Sequence, residues 1–213
     1  MEINRDIYLN RLITRKQNGF IKVITGIRRC GKSYLLNKIF YNYLLSEGVD
    51  KNHIIRFAFD SADDLLLIDE DILDISEQNR KVDPRKFMKY LAGKIVDDEM
   101  YYLLLDEVQL LGNFEAVLNG YMRKDNLDIY VTGSNSKFLS SDILTEFEGR
   151  GDEIHVLPLS FSEFYSVYEG TKEEAFDDFM VYGGLPAIAS MQTDEQKANY
   201  LITQMKNVYI KDI

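Results

Sequence analysis

Short apolar runs alternate with stretches of helical spacing along most of the chain. Four runs rich in β-branched, leucine or aromatic residues predict buried strands, at residues 20–25, 53–59, 101–105 and 127–132. A fifth strand is predicted at 153–157. Three predicted helices separate these strands, at residues 32–45, 84–96 and 113–124. Their apolar residues have the spacing of helices that pack on a sheet. This alternation predicts an α/β fold with three layers, in which helices cover both faces of a central, mainly parallel five-stranded sheet.

The two ends of the chain carry helical patterns without strands. Residues 5–17 have the loose apolar spacing of an amphipathic lead-in helix. Beyond Pro158 the pattern predicts helices only, at residues 161–168, 173–182 and 195–209. We therefore expect the α/β domain to occupy residues 1–158, followed by a small helical region at residues 159–213. Asn113 is expected to cap its helix, and Pro84 to stand in the first turn of another.

Composition supports a globular protein of the cytoplasm. The chain has 213 residues, of which 46% are hydrophobic and 28% charged. Its first ten residues carry charges where a signal peptide needs an apolar stretch, and no apolar run is long enough to span a bilayer. We expect no membrane association. The single cysteine, Cys30, excludes an internal disulfide.

The net charge of −10 is unevenly distributed. Residues 1–59 contain 11 Lys and Arg against 4 Asp and Glu, whereas the remaining residues contain 14 against 31. An acidic chain binds nucleic acid poorly without specific contacts, because such binding neutralises backbone phosphates with Lys and Arg. A nucleic-acid partner is therefore not supported by net charge. The acidic run 60–77 is interpreted as a solvated face.

The run G-x-x-x-x-G-K-S follows the first predicted strand and opens a predicted helix. Glycines let backbone N–H groups turn inward around a phosphate, and the first helical turn directs its free N–H groups at the same anion. Lys32 is expected to reach the β- and γ-phosphates of a nucleotide, and Ser33 to bind Mg²⁺. The predicted nucleotide-binding residues are Gly26, Ile27, Arg28, Arg29, Cys30, Gly31, Lys32, Ser33 and Tyr34.

Two acidic residues end the leucine-rich third strand. Asp106 and Glu107 lie where ligands bind in parallel sheets, at the carboxyl end of a strand. Asp106 is expected to bind Mg²⁺ with Ser33. Glu107 is expected to act as general base or to orient the attacking water. Lys32, Asp106 and Glu107 together predict a site for a nucleoside triphosphate.

Three further positions have a functional and an ordinary interpretation. Ser134 or Asn135 is expected to hydrogen-bond the γ-phosphate or the lytic water, although a turn with a helix cap accounts for the same letters. Arg150 is a candidate arginine finger, from the same chain or from a neighbouring subunit, or a surface residue of a glycine turn. Cys30 is interpreted as a small filler within the loop rather than as a reactive thiol.

These motifs together resemble a family of prokaryotic predicted ATPases of the AAA+-like superfamily, related to archaeal and STAND-type ATPases. Full-length members have a P-loop domain followed by a large C-terminal domain of unknown function. By this resemblance the helical region 159–213 is a lid or the start of such a domain, and Gly183-Gly184-Leu185-Pro186 helps to report the nucleotide state. The matching segments span nearly the whole chain: 25–33, 105–109, 132–136, 148–150, 157–164 and 182–186.

The leading functional hypothesis is Mg²⁺-dependent binding and hydrolysis of ATP, coupled to a conformational or regulatory role. A GTPase is less favoured because the sequence has no Asn-Lys-x-Asp motif, and a kinase because Glu107 is suited to water. The alternative hypothesis is a slow or non-hydrolytic nucleotide switch associated with DNA or with a protein partner. A homo-oligomer is left open.

Overall fold

A five-stranded parallel sheet forms the centre of the protein. The computed structural model describes residues 3–77, 80–133, 147 and 149–211. The strands are β1 (Ile21–Thr25), β2 (Ile54–Ala58), β3 (Tyr101–Asp106), β4 (Leu127–Thr132) and β5 (Gly151–His155). Their order across the sheet is β2-β3-β4-β1-β5, and every neighbouring pair is parallel. The predicted α/β fold is thus confirmed, with all five strands parallel.

Helices connect the strands and continue beyond them. In the described part of the chain they are α1 (Asp6–Ile13), α2 (the successive segments Lys32–Tyr34, Leu35–Phe40 and Tyr41–Ser46), α3 (Ala62–Leu66), α4 (Ile72–Glu77), α5 (Pro84–Lys94), α6 (Phe114–Tyr121), α7 (Phe161–Tyr165), α8 (Lys172–Tyr182) and α9 (Asp194–Lys211). The middle segment of α2 is π-helical. Short 3₁₀ turns lie at Lys51–His53, Val108–Leu110 and Pro186–Ser190. None of these described helices is both long and apolar enough to cross a membrane.

The apolar face of each helix decides which side of the sheet it covers. Helices α1 and α2 bury Leu12, Leu36 and Phe40 against one face of the sheet. Helices α5 and α6 bury Phe87 and Leu118 against the other face. The leucines of β3 point alternately into the two layers, as the two-residue period of a strand requires. Because both faces are covered, β1 and β3 are buried throughout, which explains the almost entirely apolar sequence of β3.

Four local expectations hold only in part. Strand β5 begins and ends two residues earlier than predicted, because Gly151 pairs with Ile21 at the start of β1. The acidic run forms α3 and α4, and Glu70 within it is buried and paired with Arg80 at 2.6 Å. Asn113 precedes α6 with φ 49°, and its side chain caps no N–H group. Helix α1 ends at Ile13, although the predicted helix extends to residue 17, and its Ile7 is exposed.

A separate apolar cluster holds the helical region together. Phe164, Ala175 and Ile188 from α7, α8 and the turn Pro186–Ser190 are buried in it, and Ile3 from the start of the chain joins them. Helices α7 and α8 both begin with a capping box, in which a hydroxyl and a glutamate three residues later satisfy each other's backbone N–H groups. These caps give the two helices defined starting points.

A buried ion pair joins β1 to β4 near their amino ends. The ammonium group of Lys22 donates a short hydrogen bond to Asp128, and neither side chain is more than 3% exposed. Asp128 also accepts hydrogen bonds from the Gln17 N–H group and the Tyr130 hydroxyl, both at 2.9 Å. Burial lowers the pKa of Lys22, and the charge of Asp128 opposes that shift. The Asp128 carboxylate therefore connects the turn before β1 to two strands.

We expect Asp128→Ala to destabilise the protein by about 3–5 kcal/mol, because it leaves the Lys22 ammonium buried without its counter-charge. Urea unfolding followed by circular dichroism measures the change. Asp152→Ala is the matched control, since the Asp152–Arg15 pair at 2.9 Å is partly exposed and is expected to contribute less than about 1 kcal/mol. Equal losses in the two variants would contradict the importance of the buried pair.

Candidate functional site

The predicted phosphate loop connects β1 to α2 through a backbone that curls in the left-handed region. Gly26 has φ 138°, Arg29 has φ 65° and Gly31 has φ 100°. Glycine adopts these angles without steric penalty, whereas Arg29 is held in a conformation that L-residues rarely take. The loop keeps its curled shape although the backbone of Arg29 is strained. Such a strained conformation persists only where the surrounding structure supports it.

Gly26 is also required by a close backbone approach. A Cβ atom at this position would lie 2.2 Å from the carbonyl oxygen of Val156, the residue that follows β5. The Val156 N–H group donates a hydrogen bond to Thr25 O at 2.8 Å, which fixes this approach. Strand β5 therefore supports the start of the loop directly.

Lys32 lies at the first position of α2 and is only 5% exposed. Its ammonium group donates hydrogen bonds to the carbonyl oxygens of Gly26 at 2.9 Å and of Ile27 at 3.1 Å. The charge is thus held against the loop backbone, and its hydrogen-bond donors can be transferred to a phosphate that enters the loop. Ile27, Arg28, Arg29 and Ser33 are exposed around it, and Tyr34 is half-buried.

Cys30 turns into the core beneath the loop. Its side chain is fully buried, and burial raises the pKa of the thiol. A thiol in such surroundings is protonated and inert. Its position agrees with the prediction that Cys30 fills space within the loop.

Asp106 accepts hydrogen bonds from three side chains on two other elements. One carboxylate oxygen accepts from the Ser33 hydroxyl at 3.0 Å and, through a short hydrogen bond, from the Thr132 hydroxyl. The other accepts from the Asn37 amide at 3.2 Å. Burial raises the pKa of Asp106, and the hydroxyl hydrogen bonds oppose that shift. The structure therefore brings Ser33 and Asp106 together, as expected for a shared cation.

Asn37 and Thr132 were not predicted as site residues. Asn37 follows Ser33 by four residues, so both lie on the same face of α2. Thr132 ends β4, the neighbour of β3, and parallel strands end at the same edge of a sheet. These two features of the sequence could have placed both residues near the site. They do not show which way a side chain points.

Glu107 adopts φ 52°, so the chain turns sharply after β3. Its N–H group donates to the Thr132 hydroxyl at 3.1 Å, and its carboxylate accepts a short hydrogen bond from the Gln109 amide. The side chain is half-buried, at the carboxyl edge of the sheet beside Asp106. Backbone and side chain are therefore both held by neighbouring groups.

A third carboxylate faces this pair from the end of β2. Asp60 follows β2 by two residues, and Ala58 pairs with Asp106 in the sheet. Asp60 is exposed. Partial desolvation raises its pKa, and the charges of Asp106 and Glu107 add to the shift while Arg28 opposes it. The acidic run concealed this residue among surface charges.

The remaining predicted residues are Ser134, Asn135 and Arg150. Ser134 and Asn135 lie outside the described residues. Arg150 is exposed and precedes β5, where its carbonyl oxygen accepts a hydrogen bond from the Ile21 N–H group. The phosphate loop begins at the other end of β1, roughly 13 Å away at 3.3 Å per residue. Within one chain the structure therefore does not bring Arg150 to Lys32 and Asp106.

The donor set suits a cation that shares its coordination with a ligand. Among the described residues no group of three or more His, Cys, Asp and Glu side chains could hold a metal ion by itself. Ser33 and Asp106 offer one hydroxyl and one carboxylate oxygen. Mg²⁺ is commonly bound by one or two carboxylates together with waters and phosphate oxygens, so these residues fit that ion.

Two proteins of known sequence resemble the whole chain. An uncharacterized protein of Haemophilus influenzae is 30% identical over 217 residues, which cover 99% of this chain and 50% of that protein. The uncharacterized protein MJ1544 of Methanocaldococcus jannaschii is 29% identical over 227 residues, which cover 99% and 44%. The chain therefore spans about half the length of the curated relatives that it matches.

Solved structures share the fold. The Walker-type ATPase PABY2304 of Pyrococcus abyssi superposes with a TM-score of 0.64 and 16% identity, over 99% of this chain and 76% of that protein. PCH-2 of C. elegans superposes with a TM-score of 0.55 and 16% identity, over 78% and 46%. The AAA domain family matches residues 18–165. Because this match covers more than half of the chain, the protein belongs to the AAA domain family, the AAA+-like P-loop group that its motifs resemble.

Proposed function

We propose that the protein binds ATP with Mg²⁺ and hydrolyses it, and that hydrolysis is coupled to a conformational or regulatory role. One observation carries the proposal: the Ser33 and Thr132 hydroxyls meet the same oxygen of the buried Asp106 carboxylate, beside the loop that holds Lys32. The AAA domain family supports ATP as the nucleotide. A cytoplasmic location and ADP as the product belong to the same proposal.

The phosphate loop supplies donors for the triphosphate. The curled backbone from Gly26 to Gly31 can direct N–H groups inward, and Lys32 can exchange its two carbonyl partners for β- and γ-phosphate oxygens. The ammonium group of a lysine is carried on a flexible four-carbon stem, so it can change its partners. Binding would therefore use a loop that is already formed.

Ser33 and Asp106 would hold Mg²⁺ between them and the nucleotide. A bound Mg²⁺ neutralises charge on the β- and γ-phosphates. The Asp106 carboxylate must be ionised for this role, and the hydroxyls of Ser33 and Thr132 favour that form against the effect of burial. Asn37 orients the second carboxylate oxygen.

Glu107 is proposed to activate the attacking water. The water oxygen would bond to the γ-phosphorus while the bond between that phosphorus and the β,γ-bridging oxygen breaks, and a water proton would pass to the Glu107 carboxylate. The hydrogen bond from Gln109 and the sharp turn at Glu107 fix this side chain. Positioning and electrostatic stabilisation would supply most of the acceleration.

The slow or non-hydrolytic switch has an observation in its favour. The Gln109 amide donates to the Glu107 carboxylate, so one carboxylate oxygen is already engaged by a neighbouring side chain. A switch would bind Mg²⁺ and ATP through the same residues but turn over slowly. The rate of phosphate release separates the two functions, because the binding sites do not differ between them.

Domain division and assembly are also proposals. We assign residues 1–158 to nucleotide binding and residues 159–213 to a lid or to the start of a C-terminal domain. The exposed position of Arg150 at the edge opposite the loop suits a finger that enters the site of a neighbouring copy in a homo-oligomer. The partner of that assembly would be another protein or a nucleic acid, although the acidic net charge does not favour nucleic acid.

Lys32→Ala is expected to weaken ATP binding by at least about tenfold, because it removes the cation that faces the phosphates. Titration with a fluorescent ATP analogue measures the dissociation constant. Lys38→Ala is the matched control, since Lys38 lies on the same helix outside the loop. Unchanged affinity in Lys32→Ala would contradict the assignment of the phosphate loop.

Glu107→Gln is expected to retain ATP affinity and to lower the rate of Mg²⁺-dependent phosphate release by about 10²–10⁴-fold, because the amide cannot accept the water proton. Single-turnover phosphate release is the measurement. Glu115→Gln, in the first turn of α6, serves as the control. Turnover of Glu107→Gln at the wild-type rate would show that another group activates the water.

Arg150→Ala is expected to be inactive alone but to gain activity when mixed with inactive Lys32→Ala, because each copy then supplies what the other lacks. Phosphate release by the mixture is compared with the sum of the separate variants. Mass measured by light scattering with and without ATP accompanies the assay. An active, strictly monomeric Arg150→Ala variant would exclude the finger.

A further inference from the structure

Arg5 is a buried arginine outside the region that the AAA domain family matches. It precedes α1 and is 3% exposed, although arginine is rarely buried without partners. Its guanidinium lies over the ring of Tyr8, 4.6 Å from the ring centre. The Tyr8 hydroxyl in turn accepts a hydrogen bond from the Leu157 N–H group at 3.1 Å. Arg5 and Tyr8 thus meet the segment that leaves β5.

One end of the guanidinium contacts the phosphate loop. The Nη1 group donates a hydrogen bond to the carbonyl oxygen of Cys30 at 3.2 Å. Cys30 stands between Arg29 and Gly31, the two left-handed residues at the turn of the loop. A loop whose N–H groups face a phosphate turns carbonyl groups outward, and each buried carbonyl needs a donor. Arg5 supplies that donor at the most strongly curled point.

The other atoms of the guanidinium contact the segment after β5 and the helical region. The Nη2 group donates to the carbonyl oxygen of Leu157 at 2.6 Å. The Nε atom forms an ion pair with Oε1 of Glu163 at 3.1 Å, without the geometry of a hydrogen bond. The second oxygen of Glu163 accepts from the Ser160 N–H group at 2.8 Å, which closes the capping box of α7. A single carboxylate therefore binds Arg5 and defines the start of α7.

The helical region meets the loop at two more points. The side chain of Pro186 lies 4.0 Å from the position that a Cβ atom on Gly31 would take. The guanidinium of Arg29 lies 5.5 Å from the centre of the Tyr200 ring on α9. These contacts are longer than those of Arg5, and neither is a hydrogen bond or an ion pair. The Arg5 contacts are therefore the main polar connection between the loop and the helical region among the residues described.

We propose that Arg5 is a positioning residue that couples the phosphate loop to the helical region through Glu163. The proposal rests on the proposed binding of ATP and extends it, since it assigns a role to two residues that do not touch the nucleotide. A shift of the Cys30 carbonyl group on nucleotide binding changes the guanidinium position, and the ion pair transmits that change to the start of α7. In the reverse direction, loss of Glu163 loosens the loop.

Arg5→Ala and Glu163→Gln are each expected to weaken ATP binding by about tenfold, a typical coupling between two sites, because each change breaks the ion pair between the loop side and the helical region. The double variant is expected to bind ATP no more weakly than Arg5→Ala, because both changes break the same connection. Arg11→Ala is the matched control: it lies on α1, its guanidinium also faces the Tyr8 ring, and it is exposed. Titration with a fluorescent ATP analogue gives each dissociation constant.

A second readout separates coupling from a loss of stability. Amide hydrogen exchange in α8 is measured with and without the ATP analogue. The wild type and Arg11→Ala are expected to change exchange in α8 on binding, whereas Glu163→Gln at saturating nucleotide is expected not to. Urea unfolding identifies variants that are folded; if Arg5→Ala is not, Glu163→Gln alone carries the comparison.

Three results would overturn the coupling. In the first, folded Arg5→Ala and Glu163→Gln bind ATP as tightly as Arg11→Ala. In the second, the losses of affinity in the double variant are fully additive. In the third, Glu163→Gln keeps the wild-type change of hydrogen exchange on binding. Failure of the proposed function has a different signature, in which the wild type does not bind ATP or Lys32→Ala binds it equally well. The two failures are therefore distinguishable in one set of titrations.

Discussion

A carboxylate removed from water must obtain its hydrogen bonds from the protein, and Asp106 obtains them from α2 and β4. Ser33 and Asn37 reach it from one helix face, and Thr132 reaches it from the neighbouring strand. These contacts fix the position of α2 over the sheet edge, and α2 begins with Lys32 at the phosphate loop. The geometry of the loop therefore depends on a polar group at the end of β3.

The opposite end of the same sheet is fixed by another polar contact. Lys22 of β1 and Asp128 of β4 form a buried pair near the amino ends of the strands, whereas Thr132 and Asp106 meet at the carboxyl ends of β4 and β3. Buried charge pairs contribute little net stability compared with apolar packing, but they penalise alternatives in which one partner is left alone. The two contacts thus favour a single register in strands whose sequences are otherwise almost uniformly apolar.

The helical region is joined to this frame by backbone as well as by Arg5. The Leu159 N–H group donates to the carbonyl oxygen of Gly184 at 2.7 Å, and a Cβ atom on Gly184 would lie 2.2 Å from Leu159 O. Glycine is needed there because the segment after β5 and the segment before Pro186 run in direct contact. Two motifs that are far apart in sequence, 157–164 and 182–186, therefore meet beside the phosphate loop. Such an arrangement can carry a change in the loop into the helices.

Hydrophobic periodicity and the spacing of the phosphate-loop residues determined the α/β class, the five strands and the placement of Lys32, Ser33 and Asp106 at one sheet edge. These features are local, because a strand, a turn and a helix start are each specified by a few consecutive residues. The tertiary structure alone decided which distant polar groups meet: Asn37 donates a hydrogen bond to Asp106, Asp60 faces the same carboxylate, and Arg5 forms an ion pair with Glu163. A charged residue can lie on a solvated surface or in a buried ion pair, and its identity in the sequence is the same in both cases. Only the folded chain distinguishes the two.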